Sequence, residues 1–134
     1  MDQKIKGGVA VIEKDKKHFL IRQSENKPLG GQWRHPGGNF EKDEEPIDGV
    51  KREIKEETGL SIQIIDEKPF HVEKIDYGPG YVGFYRAIPQ DGELKIDLRE
   101  ISDYGWFSFD EIKNLNLMEA TRSFYRDKYN LFSN

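Results

Sequence analysis

Glu53, Glu56 and Glu57 stand at positions i, i+3 and i+4 of a stretch that reads as a helix. That spacing puts three carboxylates on one helical face. Like charges so close repel one another. A hard divalent cation such as Mg²⁺ or Mn²⁺ removes the repulsion, because it prefers carboxylate and carbonyl oxygens. Pro36-Gly37-Gly38 precedes the helix. Glycines there let the backbone turn tightly and approach a ligand, and a carbonyl of Gly37 or Gly38 is placed to join a metal shell. Arg52 is placed to pair with the neighbouring glutamates and fix their rotamers. A solvated, Glu-rich helix has the same local composition, so these residues alone do not separate the two readings.

The charge of the chain points to the same place. Of 25 acidic and 21 basic side chains, eight acids and four bases fall between Gly38 and Leu60. The remaining 17 of each balance, so the formal net charge of −4 lies wholly in this segment. The mild acidity argues against a nucleic-acid polymer as partner, which would call for a basic face. There are no cysteines, which excludes disulfides, thiolate metal sites and a cysteine nucleophile. No apolar run approaches the ~20 residues that span a bilayer. The start, MDQKIKGGVAVIE, lacks the layout of a secretory signal and reads as a first strand. A cytoplasmic protein without a membrane partner is expected, with residues 1–134 forming one domain.

The carboxylates need elements to position them. Pro46 suits a first helical position, Ile47, Val50 and Ile54 form an apolar stripe, and Gly59 is placed as a C-cap. The stripe lies on a different arc from the carboxylates, so the helix buries one side and presents acids on another. Before it come strands at Ile5–Ile12 and His18–Gln23 joined by a turn, a loop over Ser24–Gly31, and a brief strand at Trp33–His35 ended by Pro36-Gly37-Gly38. After it come strands at Ser61–Ile65, Pro69–Asp76, Tyr81–Ile88 and Tyr104–Phe109. Ser108 and Glu111 form a capping-box pattern, and Met118–Leu131 reads as a closing helix. This order implies a mixed sheet covered by helices, an α/β (α+β) fold.

The full spacing sharpens the reading. Gly38, five residues, Glu44, seven residues, Arg52-Glu53-Ile54, one residue, Glu56-Glu57, one residue, Gly59-Leu60 is a complete Nudix box. On these nine positions the chain resembles the Nudix hydrolase (MutT-like) family. The resemblance implies an α/β/α sandwich with the mixed sheet between helices. It implies metal-dependent hydrolysis of a phosphoric anhydride bond in a nucleoside diphosphate linked to another moiety. Carried over, the metal-binding glutamates are Glu53, Glu56 and Glu57, the carbonyl ligand is Gly37 or Gly38, and Glu44 supports the helix or the metal. Some members use a further glutamate ahead of a Trp-bearing strand; here Glu100 is the first candidate and Asp103 the second. Glu53 or Glu100 is then the general base, with Mg²⁺ (or Mn²⁺) as cofactor. One departure is Gly49, where the family often has alanine; a glycine inside a helix costs ~1 kcal/mol relative to alanine.

The substrate lies outside the box. Arg22 and Arg34 are candidates for phosphate contact, and each is equally readable as a surface charge. Phe40 and Tyr77 are candidate base platforms, with Trp33, Phe70, Tyr81 and Phe124 also aromatic but better placed in a core. Tyr77, seventeen residues beyond Leu60, sits near the position of a tyrosine that marks diadenosine polyphosphate hydrolases in the family. The comparable proline marker for ADP-ribose is absent, since Ile75 and Asp76 occupy those positions. His35 and His71 read as structural or as nucleotide contacts. The expectation is a pyrophosphohydrolase of nucleoside triphosphates or related nucleotides. Alternatives are a dinucleoside polyphosphate or nucleotide-sugar hydrolase, and, in another class, a sensing module that binds a nucleotide without cleaving it. The intact set of glutamates disfavours that module. Family members often form homodimers, and no segment here demands one.

Overall fold

The computed structural model describes residues 4–76 and 78–132. Strand β1 (Ile5–Lys14) is central. It runs parallel to β7 (Tyr81–Pro89), from Ile5 opposite Tyr81 to Ile12 opposite Ala87. Its other edge takes β4 (Gly37–Asn39), antiparallel, with Gly7 opposite Asn39 and Val9 opposite Gly37. The far edge of β7 is shared by β6 (His71–Lys74) and β5 (Ile62–Ile64). A tight turn leads from β1 into β2 (Lys17–Gln23). Its two residues, Asp15 and Lys16, have φ of 52° and 62°, the left-handed pair that suits a twisted hairpin. Strand β2 then pairs with β3 (Trp33–Arg34) and β8 (Ile101–Phe107).

Alternation along these strands makes two apolar faces. Ala10, Ile12, Phe19, Ile21 and Tyr85 point to one, where Val50 and Ile54 of α1 (Pro46–Thr58) cover them. Val11, Leu20 and Phe84 point to the other, where they meet Ile112 of α2 (Phe109–Ile112) and Phe124 and Tyr125 of α3 (Glu119–Tyr129). The sheet is thus buried on both sides between helices, the expected α/β/α sandwich. The Ser108–Glu111 capping box is formed, with the Glu111 N–H donating to Ser108 Oγ and the Ser108 N–H to Glu111 Oε1.

Two expectations change. Gly37–Asn39 is a strand rather than the tail of a loop. The reason is close packing: a Cβ on Gly37 would stand 2.2 Å from the Gly8 carbonyl oxygen, and one on Gly7 would stand 2.6 Å from that of Gly38. Four glycines thus let two backbones approach more closely than side chains permit. Strand β8 begins at Ile101 and ends at Phe107, because pairing with β2 carries through the polar residues Ser102 and Asp103. Among the described residues, no helix is long and apolar enough to cross a membrane.

Candidate active site

Helix α1 carries the three carboxylates as its sequence demands. Pro46 opens it, and Gly59, at φ 78°, closes it with its N–H on the Lys55 carbonyl. Glu57 points inward and is 5% exposed. It accepts the Gly37 N–H at 2.9 Å and Arg34 Nη2 at 2.7 Å. Arg34 also donates to the carbonyl oxygens of His35 and Gly37 and to Gln23 Oε1. One guanidinium therefore ties β2, β4 and α1 together. Arg34 is neither a surface charge nor a free cation in this structure.

Glu53 faces Gly38. A Cβ at Gly38 would stand 2.7 Å from the Glu53 carboxyl group, so only glycine leaves that carboxylate its place beside β4. Burial, and next the charge of Glu57, push the Glu53 carboxyl above the usual range. Arg52 donates to Glu44 at 2.8 and 3.0 Å, to Glu53 at 3.1 Å and to Glu56 at 3.2 Å. Glu44 in turn accepts the Glu41 N–H. The Arg52 hydrogen bonds, then that N–H, hold the Glu44 carboxyl down at about 2. Arg52 and Glu44 are thus tied to one another across the helix face.

The carboxylate face opens on a cleft of about 1010 Å³. Glu53, Glu56, Glu57, Gly37, Gly38 and Glu100 all line it. Glu100 is brought there just ahead of β8 and accepts from Lys27 Nζ at 2.8 Å. Asp103 is not on the cleft wall and accepts the Tyr104 N–H instead. Arg22 is not on the wall either. Its guanidinium pairs with Glu25 and Ser102. Phe40 lines the cleft and also packs on the α1-side core. Trp33 and Phe124 are buried in the opposite core. Tyr77 lies outside the described residues. His71 pairs with Glu73 at 2.5 Å, away from the cleft wall.

The NUDIX domain family pattern matches residues 4–128. The chain belongs to the Nudix hydrolase family. Its members are hydrolases acting on pyrophosphate bonds. The nucleoside triphosphatase NudI of Escherichia coli is 25% identical over 130 residues, covering 88% of this chain and 92% of that one. A MutT-like protein of Streptomyces ambofaciens is 41% identical over 54 residues, 40% of this chain; the match spans 32% of that relative's length. The crystal structure of a MutT NUDIX hydrolase from Burkholderia pseudomallei superposes with a TM-score of 0.72 at 27% identity, covering 91% of this chain and 95% of that one.

Nudix hydrolases generally use a divalent metal. The residues present fit one. The donors on that wall are all carboxylate or carbonyl oxygens, and the missing Cβ of Gly38 leaves a cradle beside Glu53. Arg52, bound to Glu53 and Glu56, shows that this face already gathers positive charge. Among the described residues, the acidic and histidine group whose ligand atoms lie within 4.8 Å of one another is a different one, His71, Glu73 and Asp127. It lies on β6 and α3, and Asp127 is already neutralised by Arg126 at 2.8 Å.

The sequence reading missed one residue at the site. Lys27 sits in a polar loop, and nothing in its spacing ties it to Glu100, 73 residues away. His35, read from the sequence as structural or as a nucleotide contact, lines the cleft while 1% exposed.

Proposed function

We propose that this chain is a metal-dependent nucleotide pyrophosphohydrolase, cleaving a nucleoside triphosphate or related nucleoside diphosphate derivative with Mg²⁺ (or Mn²⁺). One observation carries the reading. Oxygen donors from α1 and β4 line one wall of a nucleotide-sized cleft, and Gly38 lacks the Cβ that would displace the Glu53 carboxylate beside it. Glu53, Glu56 and Glu57 would hold the cation, with a carbonyl of Gly37 or Gly38. When bound, it would neutralise phosphate charge and acidify a water. Among the protein's own groups, Arg34 and the Gly37 N–H orient Glu57, while Arg52 and Glu44 orient Glu53 and Glu56. Glu53 or Glu100, both on the cleft wall, takes the water's proton. The water oxygen bonds to one phosphorus, the anhydride bond breaks, and the other phosphate departs in line. Lys27, beside Glu100, supplies a positive charge that balances the departing group.

The name of the Escherichia coli relative supports a nucleoside triphosphate as substrate. The test is a panel of nucleoside triphosphates, dinucleoside polyphosphates, ADP-ribose and nucleotide sugars with Mg²⁺ or Mn²⁺. Hydrolysis of a nucleoside triphosphate that stops on chelation is expected. Tight binding of one compound without hydrolysis of any would identify a sensing module instead.

A further inference from the structure

A chain of hydrogen bonds runs through the core behind β3. Tyr125, on α3, is fully buried. Its hydroxyl lies 2.7 Å from His18 Nδ1 and 2.9 Å from His35 Nε2. His18 Nε2 lies 3.2 Å from Glu13 Oε1. Burial disfavours the charged form of both histidines, so each holds one ring proton.

The placement of those protons follows step by step. A carboxylate only accepts, so His18 carries its proton on Nε2. His18 Nδ1 is then a lone pair and accepts the Tyr125 O–H. The Tyr125 oxygen has no proton left to give toward His35, so it accepts the His35 Nε2–H. The single ring proton of His35 is thereby placed, and its Nδ1 is a bare acceptor. Among the described residues, this nitrogen is the buried side-chain atom that no hydrogen bond satisfies. A buried acceptor without a donor is destabilising, so such atoms call for an explanation.

The position of the ring supplies one. His35 lines the cleft together with Val9, Val82, Phe84, Met118 and Thr121. Its ring packs edge-on against Phe84 and Phe124 at 5.7 and 5.2 Å. This is the α3 side of the cleft and is mostly apolar, whereas the carboxylates belong to the α1 side. A nucleotide held by its phosphates at α1 has its flat, apolar, N–H-bearing end left for this wall. At 1% exposure the ring is covered, so a substrate N–H reaches Nδ1 only when the apolar wall parts around it as the cleft fills.

We propose that His35 is a specificity-determining residue, whose Nδ1 accepts a hydrogen bond from an amino or imide N–H of the substrate's nucleobase. The Glu13–His18–Tyr125 chain acts as its positioning network, fixing the tautomer that leaves Nδ1 bare. The proposal rests on the nucleotide reading of the cleft given above.

The experiment is NMR of the wild-type protein with ¹⁵N-labelled histidine, without metal. The four common nucleoside monophosphates are titrated in, with ribose 5-phosphate and inorganic pyrophosphate as controls. In the free protein, His35 should be protonated on Nε2 and not on Nδ1. At least one nucleoside monophosphate should shift the Nδ1 signal saturably, and both controls should leave it in place. A protonated Nδ1 in the free protein would overturn the proposal. So would an Nδ1 that no nucleotide moves, as for a site filled by trapped water, or one that ribose 5-phosphate moves equally.

A kinetic arm follows the same atom. Wild-type kcat/KM should favour the best nucleotide over its analogue lacking the contacted N–H by at least about tenfold. His35→Phe should bring that ratio to about one; an unchanged ratio would overturn the proposal. Hydrolysis by the NMR sample is assayed alongside. Hydrolysis with an unmoved Nδ1 overturns this proposal alone. A moved Nδ1 without hydrolysis overturns the catalytic reading alone.

Discussion

Arg34 and Glu57 meet at 2.7 Å, with side chains 16% and 7% exposed. The pair joins a strand beside the cleft to the carboxylate helix. It makes Glu57 both a structural anchor and a candidate metal ligand. Arg34→Met leaves the Glu57 carboxylate buried with one partner, the Gly37 N–H. Loss of a partner from a buried pair costs about 3–5 kcal/mol. A urea-denaturation midpoint should fall accordingly, and adding Glu57→Gln should recover part of the loss. Additive losses in the double variant would show that the two residues are not coupled.

Gly38→Ala probes the cradle. Gly38 does not have the positive φ of Gly37, so alanine is allowed by the backbone. Its Cβ would nonetheless stand 2.7 Å from the Glu53 carboxyl group. The variant should fold and lose at least about tenfold in kcat. Steady-state kinetics beside circular dichroism separates this from unfolding. Wild-type kcat would mean that Glu53 does not need its observed position.

Gly49→Ala tests a rule of helix propensity against local packing. Propensity alone predicts about 1 kcal/mol of stabilisation. In this fold, an added Cβ would meet Phe40 Cδ1 at 2.6 Å and Glu44 Oε1 at 2.9 Å. We expect no gain, or a loss, in thermal stability. A rise in Tm of several degrees would show that Phe40 and Glu44 yield freely.

His18 contributes to a pH dependence of stability. Burial lowers the His18 pKa, partly opposed by the Glu13 hydrogen bond and charge, and lowers that of His35 as well. The unfolded chain, with histidine near 6.5, therefore binds more protons below that pH. The contribution is fully present above about pH 6.5 and is lost as pH falls toward the lower folded value. The denaturation midpoint should drop between about pH 7.5 and about pH 5.5, and His18→Gln should flatten the drop. Equal slopes in both proteins would assign the dependence to other groups.

Much of this was legible in the sequence where a residue type has one physical meaning. Pro46 and Gly59 bounded α1, and the spacing of Glu53, Glu56 and Glu57 put them on one face. Glycine runs mislead, because Gly37-Gly38 reads as a loop by composition. The structure uses those glycines to press β4 against β1, a contact with a partner thirty residues away. Arg34 was ambiguous for the same reason. A lone arginine in a short strand shows no partner until the fold brings Glu57 to it, and no local pattern encodes that. The pairing of Lys27 with Glu100 is equally invisible along the chain. At Gly49 helix propensity says nothing of Phe40, which stands 2.6 Å from where a Cβ would go.

The central claim is that the carboxylate face of α1 holds the divalent cation used in hydrolysis. The most direct measurement is Mg²⁺-dependent hydrolysis of a nucleoside triphosphate by Glu56→Gln and Glu57→Gln, beside Mn²⁺ binding by the same proteins without nucleotide. We predict that both variants fold, bind Mn²⁺ weakly and fall at least about a hundredfold in rate. Wild-type hydrolysis and wild-type Mn²⁺ affinity in both variants would contradict the account.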